Sequence, residues 1–159
     1  MAITQTLCTS FKAELMLGVH DFRDVSGDTF KIALYTSSAT LDAATTAYSA
    51  TDEVSGTNYV AGGVTLVNLG VEESAYALNL STGVGYTSFE DVVITGTDII
   101  AAGAVIYNTT PSANGVANTA LTNPAVCVLD FGSDKSAAGG TFTITFPLAS
   151  AETAIVRIA

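Results

Sequence analysis

The chain has 159 residues, 48% of them hydrophobic and only 13% charged, with 15 acids against 5 Lys and Arg for a net charge of -10. A surface this acidic repels a phosphate backbone, so no nucleic-acid partner is expected. One His, two Cys and no Trp supply little from which to build a reactive centre, and the sequence predicts neither enzyme activity nor a cofactor.

This length suits one domain with a sizeable core. The charged fraction is about half the usual quarter, which leaves an exterior of Ser, Thr, Asn, Gly and Ala. Few long side chains would need ordering or desolvating at a contact, so such a surface favours assembly.

Residues 1–7 lack a basic region ahead of an apolar run, so no secretory signal is expected. No stretch approaches the roughly 20 apolar residues of a membrane span. Over residues 9–22, Phe11, Leu15, Val19 and Phe22 recur at helical spacing and predict one short amphipathic helix. Ser10 is the expected N-cap, Glu14 sits early in the helix, and Gly18 weakens it by up to about 1 kcal/mol. We assign residues 1–25 to a helical arm and residues 26–159 to a β domain. The stripe Phe11, Leu15, Val19 and Phe22 is the candidate assembly interface.

After the turn at Asp24 to Asp28 the pattern becomes that of strands. Strands are expected at residues 30–36, 59–71 with a kink at Gly62-Gly63, 75–80, 88–95, 104–108, 125–131, 141–146 and 154–158. About eight strands separated by turns predict a mainly β fold, an antiparallel β-sandwich of jelly-roll type. In Thr141 to Phe146 the alternation is strict, so Phe142, Ile144 and Phe146 should face a core, and Pro147 ends the strand. The long connections, 37–58 and 109–124, are expected to cross between sheets or to reach a neighbouring subunit.

Candidate chemistry is sparse. Asp24-x-Ser26-x-Asp28 has the oxygen spacing that opens a calcium loop, but Gly27 comes one position early and Tyr35 stands where the closing Glu belongs, so a solvated turn is expected. The pairs Asp52-Glu53, Glu72-Glu73 and Glu90-Asp91 cannot each form a dyad, because neighbours on a strand point to opposite faces; they read as solvated edge charges. His20-Asp21 has the types of a base and its orienter, but no nucleophile is recognisable, and a His favoured by the helix C-terminus is the simpler reading. Gly62-Gly63 and Gly139-Gly140 match no nucleotide-binding pattern and read as turns or bulges. Cys8 and Cys127 have no metal-site spacing and are expected as free thiols, Cys127 as a buried hydrophobe.

The segments Thr9 to Leu15 (TSFKAEL), Thr29 to Leu41 (TFKIALYTSSATL), Tyr48 to Thr51, Gly56 to Gly63 (GTNYVAGG), Ala104 to Asn108 and Val128 to Phe146 (VLDFGSDKSAAGGTFTITF) resemble a group of small virion structural proteins of tailed bacteriophages. The resemblance covers nearly the whole chain, in segments that form the fold and carry no site residue. It implies a protein made in the bacterial host cytoplasm and present in many copies on the virion. The favoured role is a capsid decoration or cement protein, a homotrimer seated between hexamers of the major capsid protein, which it would stabilise by mass action. The alternative is a tail component, partnered by other baseplate, tube or fibre proteins. A host-glycan-binding module is a third reading; it would need Tyr48, Tyr59, Tyr76, Tyr86 or Tyr107 exposed beside Asp or Asn.

Overall fold

The computed structural model describes residues 2–69, 84–113, 116–117 and 120–158. They form a mainly β protein with antiparallel sheets and one short helix. The strands are β1 (Thr6–Leu7), β2 (Phe30–Tyr35), β3 (Val64–Thr65), β4 (Gly85–Thr87), β5 (Val92–Asn108), β6 (Ser112–Ala113), β7 (Val116–Ala117), β8 (Ala125–Ile144) and β9 (Val156–Ile158), with α1 (Thr9–Met16) after β1. A five-stranded sheet runs in the order β1-β8-β5-β2-β3, and β4-β9 and β6-β7 form two-stranded ribbons. The expected strands at 75–80 and the pair Glu72-Glu73 lie outside the described residues.

The helix is half as long as its stripe suggests. Gly18 adopts φ +68°, and the N–H groups of Val19 and Gly18 turn back to the carbonyls of Glu14 and Leu15 at 3.0 Å each. This is a Schellman closure, which places a glycine in the left-handed region just past the last turn. Gly18 therefore terminates α1 rather than weakening its middle, and Val19 and Phe22 lie on extended chain beyond it. The N-cap is Cys8, not Ser10, and it makes no side-chain cap bond.

The central strands are covered on both faces. Phe30, Ile32 and Leu34 share one face with Ala104, Ile106 and Asn108, while Lys31, Ala33 and Tyr35 share the other with Gly103, Val105 and Tyr107. Aromatic rings packed on the first face link the N-terminal segment to the sheet: Phe11 meets Phe22 edge-on, Phe22 stacks on Phe30 at 4.4 Å, and Phe30 meets Phe89. The second face is roofed by the connection 37–58 and the turns that follow it, with Tyr48 stacked on Tyr107 at 4.7 Å. This corrects the expectation for that connection: it folds back onto the chain's own sheet. It is held there by Tyr48 N–H to Asn123 O, Ala125 N–H to Thr46 O, and Val54 N–H to Leu34 O.

Residues 2–25 pack on the chain's own sheet. β1 pairs with β8, and Cys8, Phe11, Val19 and Phe22 are all buried in the chain's own core, with Leu15 packed half-buried against it. The helical stripe proposed as an assembly interface is thus an internal face.

Two pairs of expected strands are each one strand. β5, starting at Val92, joins the strands expected at 88–95 and 104–108, and β8 joins those expected at 125–131 and 141–146, so the residues between them, which no expected strand covered, belong to one strand in each case. Register is kept by bulges: Gly103 faces Asp130 while Ala101 faces Lys135, so residues 131–134 loop out of the ladder. Among the described residues between 59 and 69 only Val64–Thr65 is strand, and Gly62 and Gly63 just ahead of it both take positive φ. At Gly63 a side chain would collide with the Ile32 carbonyl, so close passage over β2 requires glycine there.

Candidate functional site

Two internal clusters tie up several of the side chains able to do acid, base or nucleophilic chemistry. The first lies under α1. His20 has a fully buried ring; its Nε2 meets Glu14 Oε2 at 2.7 Å and its Nδ1 meets Asn108 Nδ2 at 3.1 Å. The orientation of Asn108 is set by its other partners: Oδ1 accepts Thr110 N–H at 2.9 Å, and Nδ2 donates to Asp28 Oδ2 at 2.8 Å. His20 Nδ1 must therefore accept, so the proton sits on Nε2 and is donated to Glu14. Burial lowers the imidazole pKa and outweighs the opposing pull of Glu14 and Asp28.

Asp28 anchors the same cluster. Its Oδ2 also accepts Asp21 N–H at 3.0 Å and its Oδ1 accepts the Ser112 hydroxyl at 3.0 Å. The expected solvated turn therefore holds only in part: Asp24 and Ser26 are exposed, whereas Asp28 is buried. His20 and Asp21 do not act together. Asp21 is held well below the usual carboxylate range by Arg23, which it binds on the surface, and the orienter of His20 is Glu14. Nor is His20 at a helix terminus; it lies past the Gly18 closure.

The second cluster centres on Glu53. Tyr48 donates to its Oε2 at 2.7 Å, and Tyr59 and Gly62 N–H donate to its Oε1 at 2.7 and 2.8 Å. Tyr59 accepts Leu34 N–H at 2.9 Å, which caps the edge of β2 beyond the end of β3. Tyr107 donates to Gly62 O at 2.6 Å and Tyr35 to Ser49 O at 2.6 Å. Burial raises the pKa of all four phenols, that of Tyr48 to about 12 with the Glu53 carboxylate adding to the shift. Glu53 is thus an internal clamp rather than an edge charge. Glu90 and Asp91 are exposed, and Asp91 caps Phe146 N–H at 2.8 Å.

The Glu53 cluster borders an open depression of about 580 Å3 lined by Glu53, Asp98, Ile99, Ile100 and Ser136 among others. A shallow depression of about 460 Å3 over the 37–58 connection is lined by Ser38, Thr40, Asp42, Thr45, Ser49 and Asp52 among others, with no His, Cys, Lys or Arg. A groove of about 520 Å3 runs beside β8, between Phe131, Phe142, Ile144 and Ile155. Both cysteines are free and buried, which pushes the Cys8 thiol up to about 11 and that of Cys127 higher still. Among the described residues no group of three His, Cys, Asp or Glu is placed to hold a metal ion, and no helix is long and apolar enough to cross a membrane.

Large apolar side chains do reach solvent. Met16 and Leu148 are each 84% exposed, and Leu17, Val25, Val60, Val93 and Ile100 exceed half exposure. Periodicity does not mark this outer set, because it picks out the faces turned toward a core. The only advance signal was position: Met16 and Leu17 adjoin the terminating glycine. Comparison with protein-family models, curated proteins and solved structures gives no match.

Proposed function

We propose that this protein is a non-enzymatic structural component of a virion, most concretely a capsid decoration protein that binds the major capsid lattice and stabilises it. One observation carries the reading. Glu14, His20, Asp28, Glu53 and four tyrosines are tied into internal networks, whereas exposed apolar side chains, shallow depressions and an uncapped strand edge lie outside. A surface of that kind suits burial against other proteins. Mass action then does the work, since contacts available only on the assembled lattice stabilise it in proportion to occupancy.

For the finer architecture we propose a β-sandwich in which the five-stranded sheet is one leaf and the β4-β9 ribbon belongs to the other. Glycan binding has less support: Tyr59 and Tyr107 are buried, and Tyr48 gives its hydroxyl to Glu53.

Binding of purified protein to tail-less expanded heads tests the proposal. Saturable binding in hundreds of copies is expected, with a rise in the temperature at which the shell opens. Absence of binding to heads, with a dozen or fewer copies located on tails, would favour the tail reading.

A further inference from the structure

We propose that two copies of this chain pair edge to edge through β8, with Thr143 of one copy opposite Thr143 of the other across a two-fold axis. The inference concerns the isolated protein and does not rest on the virion reading.

β5 pairs with β8 along one side on both flanks of the 131–134 bulge, but β1 covers the other side only at Cys127 and Val128. Beyond that point no backbone hydrogen bond reaches the outer edge from any described residue. The acids that touch this part of β8 do so from the β5 side: Asp98, itself in β5, accepts Gly139 N–H at 2.6 Å, and Asp91, just ahead of β5, accepts Phe146 N–H at 2.8 Å. They leave the outer edge of residues 140–145 uncapped. Chains built onto Gly139 or Gly140 would meet nothing within 4 Å, so the ribbon stands clear of the body here.

Soluble proteins protect such an edge with Lys, Pro or an inward charge. From Ser136 to Phe146 there is none of these. The side chains also identify the occupant. In Thr141-Phe142-Thr143-Ile144-Thr145 the pattern is symmetric about Thr143, so an antiparallel copy places Thr141 opposite Thr145 and Phe142 opposite Ile144. Threonines meet threonines on the exposed face, and apolar side chains meet on the buried one, in the pairings that favour antiparallel strands. Phe142 and Ile144 also line the groove beside the edge, which a second copy would close.

The test uses the full chain in sedimentation equilibrium from about 1 to 200 µM, with three substitutions at exposed positions. Wild type is expected to be a dimer whose association strengthens with salt, which screens the repulsion between two chains of charge -10. Thr143→Lys sets two cations directly opposite each other and should weaken the dimer at least about fivefold. Because it makes the net charge less negative, general repulsion cannot explain that loss. Thr143→Cys should be joined to its own copy by a short bismaleimide, whereas Thr51→Cys should not. Far-UV circular dichroism confirms that the variants are folded. A monomer throughout the range, an oligomer indifferent to Thr143→Lys, or cross-linking no better at position 143 than at 51 would each overturn the proposal.

Discussion

Replacing Glu53 by Ala would leave the hydroxyls of Tyr48 and Tyr59 and the N–H of Gly62 without their acceptor. A charged acceptor serving partly buried donors is worth more than an ordinary hydrogen bond, so we expect a loss of about 3 kcal/mol, read from the urea midpoint at constant m. Two glycines make a sharper comparison, since both have positive φ. Gly18→Ala meets open space and should cost only about 1 kcal/mol for the backbone conformation. Gly63→Ala must also displace the Ile32 carbonyl and should cost more than about 3 kcal/mol. Equal midpoints for the two variants would contradict the account of Gly63. At His20 the sign is set by a folded-state pKa below the free value of 6.5. The unfolded chain takes up the proton first, so this group's contribution is complete above pH 6.5 and is lost as pH falls from there toward the folded value. Urea midpoints between pH 8 and 5 should fall in that window for wild type and stay flatter for His20→Gln.

The elements explain which parts of the architecture were legible. Phe30 to Tyr35 was readable because a run of six strand-forming residues has one reading at that length, and Thr141 to Phe146 because its alternation is strict. The two-to-one merging of strands in β5 and β8 was not. Ile99 and Ile100 favour strand, but Ser136 to Gly140 does not and is held as sheet by pairing with β5, as in Ile99 with Ala137 and Ile100 with Ser136. The helix stripe misled for a related reason: Val19 and Phe22 have the right spacing, but a glycine that ends a helix also lets following residues enter the core by another route. Likewise nothing local marks Glu53 as a clamp, since its partners Tyr59 and Gly62 come together only once the connection has folded over β2. Removing residues 1–22 deletes Cys8, Phe11 and Val19, each no more than 1% exposed. The truncated chain is therefore expected to lose its cooperative thermal transition, where a detachable arm would leave it intact.

At the scale of the molecule, low charge density and high net acidity act together. Few side chains resist burial at a contact, while the charge of -10 keeps copies apart until a geometrically specific edge or lattice overcomes it. The resemblance to virion proteins implies a trimer, whereas edge pairing at Thr143 implies a two-fold contact; the mass of the wild-type oligomer and its response to Thr143→Lys separate them. We propose that this protein acts by assembling on a virion and not by turning over a substrate. Quantitative protein composition of purified particles tests it most directly. The account predicts hundreds of copies per particle, retained on heads that lack tails. A particle that carries none, or that carries it only as a trace lost on further purification, would contradict it.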